Sequence, residues 1–160
     1  MRLLKLFISA LAISFASLAA CAAQDITGPQ ITLPQSPLVI DTEHGSVEFV
    51  VEFADDPREV QTGMMFREEV GDNEGMLFDM GRVREAMFWM HNTLISLDLI
   101  FIEADGTIRT IARNAVPRSD DIIYSRGPVL GVLEIGGGRA AALGLEEGDV
   151  VHHSLFGNAP

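Results

Sequence analysis

The sequence predicts a mainly β domain, an antiparallel sandwich or barrel carrying two short helices. Three observations predict it. Short apolar runs of strand length recur along the chain, glycine-bearing turns separate them, and only two places carry helix-start chemistry.

Taken in order, Leu38-Val39-Ile40 is the first ordered run. Val47, Phe49, Val51 and Phe53 then alternate with Glu48 and Glu52, the pattern of a half-buried strand, and Gly45 between the two runs suggests a hairpin. Asp56-Pro57-Arg58-Glu59 is a helix start, with Asp as N-cap, Pro in the first turn and Glu closing a capping box. Val60 and Met64 share a face, and the helix is expected to end near Phe66-Arg67. Gly71 to Gly75 is a turn, Met76-Leu77-Phe78 a short strand, and Ala86 to His91 another. Leu97 to Ile102 is apolar except for Asp98, as in a strand covered on both faces. Asp105-Gly106 is a hairpin turn, and the odd spacing of Ile108 and Ile111 hints at a bulge. After a polar loop over residues 113–121, Val129 to Ile135 is a core strand. Gly136-Gly137-Gly138 opens a second short helix over Arg139 to Leu143, ended by Gly144, and Val150 to Leu155 is the last strand.

The amino terminus fixes a compartment. Arg2 and Lys5 precede an apolar core, Leu6 to Leu18, and the small pair Ala19-Ala20 leads to the single cysteine. That order is a secretory signal over residues 1–20, with an apolar core too short to span a membrane as a mature helix. Leu18-Ala19-Ala20-Cys21 resembles the bacterial lipobox, which implies lipidation at Cys21; ordinary cleavage after Ala23 is the rival. Residues 21–36 read as the lipidated cysteine and a tether, and residues 37–160 as one domain without a disulfide. The expectation is an exported, periplasmic lipoprotein.

The formal charge is −12, and loss of Arg2 and Lys5 makes it two units more negative. No basic cluster remains, so nucleic acid is excluded as a partner on charge, and membrane contact is expected through the lipid anchor.

Several motifs occur together in a fixed order: Gly63-Met64-Met65-Phe66-Arg67, Gly75-Met76-Leu77-Phe78, Phe88-Trp89-Met90-His91-Asn92-Thr93, Leu97-Asp98-Leu99-Ile100-Phe101-Ile102, Val132-Leu133-Glu134-Ile135 and Gly148-Asp149. The set resembles the domain of unknown function 192 family over roughly residues 38–155. The resemblance implies a mainly β domain of jelly-roll-like type, often exported in bacteria, and no reaction or catalytic residue. Where that family commonly has Lys, this chain has His91.

Candidate functional residues follow from side-chain chemistry. In an extended strand Trp89 and His91 point one way, Met90 and Asn92 the other. Trp89 can serve as a platform for a sugar or peptide with His91, Asn92 and Thr93 at its rim; alternatively Trp89 and Met90 fill the core and Asn92-Thr93 bond a turn. Arg67, Asp98 and Glu134 sit in or beside apolar runs, where a charge needs a partner, so Arg67 is expected to bridge Asp98 or Glu134. Asp98 and Glu134 can otherwise be paired as acid and base. Gly136, Gly137, Gly138 and Arg139 offer backbone N–H groups and a guanidinium to an anion, or simply a tight turn.

Six of the seven methionines fall between Met64 and Met90, and with His91 their thioethers can hold Cu(I), although Met is also a common core filler. No His spacing suits a divalent metal, and no cofactor is expected. The leading expectation is a binding module for an envelope glycan, peptide or protein. The alternatives are a hydrolase or lyase using Asp98, Glu134 or His91, and a Met-based Cu(I) carrier.

Overall fold

The computed structural model describes residues 25–159, so the signal segment and Cys21 lie outside the described residues. Seven strands form one sheet in the order β5-β4-β6-β3-β2-β1-β7. They are β1 (Gln35–Thr42), β2 (Gly45–Ala54), β3 (Glu74–Phe88), β4 (Leu97–Ile102), β5 (Ile108–Ala115), β6 (Ile123–Gly136) and β7 (Val150–His152). The sheet curls until its two edges touch through a bridge between Thr107 and Val150. The result is a mainly β half-barrel with two short helices, in line with the composition of turns and apolar runs.

Helix α1 (Pro57–Thr62) starts as its sequence dictates. Asp56 accepts from the Arg58 amide, Glu59 closes the capping box, and proline supplies the fixed φ of the first turn. It ends at Thr62, a turn earlier than expected, because Gly63 leaves the helix at φ 48°. Helix α2 (Arg139–Ala142) ends at Gly144, whose φ of 68° is the left-handed conformation that glycine adopts without cost.

Most strand pairs are antiparallel; β2 and β3 run parallel, joined through α1. A parallel pair needs a crossover rather than a hairpin, and the capped helix provides it. The runs at Met76 and at Ala86 belong to one bent strand, β3, whose pairing with β6 shifts register between Asp79 and Arg84. Its second half pairs with residues 123–129 of β6 and turns Phe88 edge-on to Phe78 and Phe101. This two-stranded ribbon thereby covers the outer face of the sheet. Ser125 holds the second irregularity, accepting from the Ala86 amide and donating to the Gly127 carbonyl.

The core therefore has two parts. The inner face of the curl carries Leu38, Ile40, Phe49, Val51, Leu77, Ile100 and Leu133. The outer face carries Met64, Met76, Phe78, Met90, Leu99, Phe101 and Val132, roofed by the ribbon and the turn after α1. All six residues of β4 are buried, as expected for a strand covered on both faces. The last strand stops at His152, and Ser154–Phe156 form a 3-10 turn capped by His153. No helix among the described residues is long and apolar enough to cross a membrane.

Candidate ligand-binding face

The Trp89–Thr93 segment leaves β3 at its end and keeps the strand's alternation for one more turn. Met90 is buried, with its amide bonded to the Ser119 carbonyl, while Trp89 is 46% exposed. The Trp89 and His91 rings lie 5.0 Å apart and 29° from parallel. His91 Nδ1 donates to Asp120 Oδ1 at 2.7 Å, which fixes the imidazole, and Nε2 has no partner among the described residues. Met87, Ile122 and Tyr124 are also exposed, and Met87 pairs with Tyr124 across the ribbon. Together with Trp89 they make an apolar outer face on the ribbon. Buried Thr93 bonds its own turn, through its amide to Met90 and its hydroxyl to His91.

Two of the sequence motifs meet beside this face. The Phe66 amide bonds the Asn92 carbonyl at 2.9 Å, and both residues are left-handed, at φ 61° and 55°. Asparagine tolerates that region; phenylalanine adopts it only under tertiary constraint. The Asn92 side-chain amide makes no hydrogen bond among the described residues.

Arg67 departs from expectation. Its guanidinium grips Glu52 through two bonds of 2.5 and 2.8 Å, not Asp98 or Glu134. Glu52 also accepts from the Leu33 amide, and the Nε of Arg67 is buried without a partner. Sequence reading missed Glu52 because strand alternation placed it outward. That alternation holds for a half-buried strand, whereas the segment before β1 covers this end of β2 and leaves Glu52 6% exposed. The available signal was Arg67 itself, a cation in an apolar turn needing a nearby carboxylate.

Asp98 and Glu134 do not come together. In the β4–β6 register Asp98 pairs with Ile135 and Leu99 with Glu134, so the two carboxyl groups point to opposite faces of the sheet. They cannot serve one cleft as acid and base. Asp98 is fully buried and accepts from the amides of Asn114, Gly138 and Ala140 at 2.7, 3.1 and 2.8 Å. The N–H groups of Gly138 and Ala140 thus serve the chain's own carboxylate. Arg139 turns away to the Asp72 carbonyl and Asn73 side chain, beside a hollow of about 450 Å³ lined by Val70, Gly71 and Gly136 to Gly138. Glu134 lies between Met76 and Leu99, 4% exposed and with no hydrogen bond among the described residues. Burial in this apolar setting pushes its carboxyl up to about 8.

Met64, Met76 and Met90 all enter the outer-face cluster, at 0–2% exposure. His152 and His153 diverge, the first to Asp41 and the second to Ser36. Among the described residues no group of three or more His, Cys, Asp or Glu is placed to hold a metal ion.

A groove of about 440 Å³ borders the apolar face. Its walls are Thr110, Ile111 and Ala112 of β5 on one side and Ile122, Ile123 and Tyr124 on the other, with Phe101 beneath. Arg126 and Glu147 add one cation and one anion.

Known proteins place the chain structurally. It is similar to a Sinorhizobium meliloti 1021 protein described as a proposed transcription regulator, with 41% identity, a TM-score of 0.76, and coverage of 79% of this chain and 98% of that one. It is also similar to a protein of unknown function from Novosphingobium aromaticivorans DSM 12444, with 40% identity, a TM-score of 0.74, and coverage of 90% and 100%. No curated protein matches the chain. The profile of DUF192, described as uncharacterized ACR, matches residues 39–153, and the chain belongs to this domain of unknown function 192 family.

Proposed function

We propose that the chain is an exported lipoprotein, held at a membrane through Cys21, whose domain binds a glycan, a peptide or another envelope protein. The single observation that carries the binding reading is Trp89. A large aromatic ring left 46% exposed, backed by a histidine that a carboxylate holds in place, is a pre-ordered platform. Ordering such a surface in advance lowers the cost of association.

Trp89 is the sole tryptophan, so its emission reports on its own surroundings. Titration of the domain with soluble peptidoglycan fragments, and separately with short peptides, should shift that emission saturably. Trp89→Ala should weaken binding at least about tenfold while leaving the melting temperature nearly unchanged. Absence of any saturable shift sinks the reading. The anchor is tested separately by palmitate labelling of the full chain in bacterial cells, which Cys21→Ser should abolish.

The pairing of His91 with Asp120 favours a second reading, a hydrolase in which His91 Nε2 takes a proton from water. His91→Gln would then abolish turnover of a glycan or ester without abolishing binding.

A further inference from the structure

We propose that the groove between the β6 edge and β5 takes an extended peptide, which adds a third strand to the β3–β6 ribbon. This rests on the binding reading above and names the class of ligand. Three observations carry it.

The first is an open strand edge. Residues 123–129 of β6 pair with β3 on one side only, since β4 joins β6 further along, from Gly131 to Gly136. In an antiparallel pair alternate residues turn their N–H and C=O groups away from the partner. Ile123 and Tyr124, the two residues paired with β3 before the bulge, line the groove. Arg109 spans the gap, donating Nε to the Pro128 carbonyl, and closes that end. Four residues, Ile122, Ile123, Tyr124 and Arg126, line the open part.

The second is the lining. Ile122 and Tyr124 are exposed on the outer wall, Ile111 and Ala112 half-buried beside buried Thr110 on the other, and Phe101 forms the floor. A strand laid here places alternate side chains on the floor and against the outer wall, the arrangement that gives strand addition its side-chain selectivity. An unprotected edge of this kind otherwise invites uncontrolled pairing, so a dedicated occupant also protects the fold.

The third is charge. Neither Arg126 nor Glu147 has an ion-pair partner among the described residues. A peptide bearing one carboxylate and one cation on an otherwise β-branched stretch complements both. Ile122 and Tyr124 belong to the groove and to the Trp89 face alike, so one bound chain can touch both.

The test uses the peptide acetyl-Glu-Val-Thr-Val-Thr-Val-Lys-amide and two versions N-methylated at alternate amides, one set each. Binding to the domain is followed by amide NMR and by Trp89 emission. The expected result is saturable shifts of the amides of residues 122–126. One methylated set should bind at least about tenfold more weakly, as the loss of two or more backbone hydrogen bonds requires, and the other should bind nearly as well as the parent. Equal behaviour of the two sets overturns strand addition. So do shifts confined to Trp89 and His91, or binding of peptidoglycan fragments alone; both leave the Trp89 platform standing. Failure of every probe overturns both readings.

Discussion

Asp98 Oδ2 accepts a 2.8 Å hydrogen bond from the Ala140 amide, joining β4 to the first turn of α2 across 42 residues. Oδ1 takes the amides of Gly138 and Asn114 as well. One buried carboxylate therefore seats the Gly136–Arg139 turn and the end of β5. Asp98→Ala should destabilise the domain by about 3 kcal/mol, because three N–H groups, that of Ala140 fully buried, lose their acceptor. Asp98→Asn should cost less, since one oxygen remains. Urea denaturation measures both, and an unchanged midpoint for Asp98→Ala would overturn the assignment.

Arg67 and Glu52 form the second internal tie, linking the turn after α1 to β2. Removing one member strands the other charge in a largely buried site. Arg67→Met should cost about 3 kcal/mol and Glu52→Leu a similar amount. The double variant should lose clearly less than the two added together. Strict additivity in the double-mutant cycle would show that the pair contributes no coupling.

Glu134 makes stability fall as pH rises from 4.5 to about 8. Burial raises its folded value to about 8 from 4.5, so its favourable contribution is complete below 4.5 and is lost as pH rises through 8. The full loss approaches about 5 kcal/mol. Glu134→Met, matched to its apolar neighbours Met76 and Leu99, should remove this slope and leave the variant more stable than the parent at pH 8. Thermal melts between pH 5 and 9 decide it.

His153 acts on the acid side. The Leu155 amide donates to Nδ1, so the neutral ring carries its proton on Nε2 and donates to Ser36. Burial lowers its value, so the stability it contributes is present above the ordinary histidine range and is lost as pH falls through the lowered one. His153→Asn should be less stable near neutrality and show a shallower fall as pH drops below the ordinary histidine range. A slope identical to that of the parent would exclude His153 as its source.

Much of the fold was legible because its signals are local. The capping box of Asp56 and Glu59, the glycine stop at Gly144 and the all-apolar β4 need only neighbouring residues to act. The union of two apolar runs into β3 was not legible. It depends on pairing with a distant strand, β6, and on bulges that Ser125 holds in place. The candidate site divides in the same way. Alternation put Trp89 and His91 on one side, and the structure stacks them there.

The sequence by itself determined the class of fold, the family, and the residues whose chemistry demanded partners: Arg67, Asp98 and Glu134. Only the tertiary structure decided who those partners are. Arg67 reaches Glu52, Asp98 takes backbone amides, and Glu134 takes none among the described residues. The reason is physical. A residue's need for a partner is intrinsic to its side chain, but the face it occupies is set by strand register, and one step between Asp98 and Leu99 separates opposite sides of the sheet.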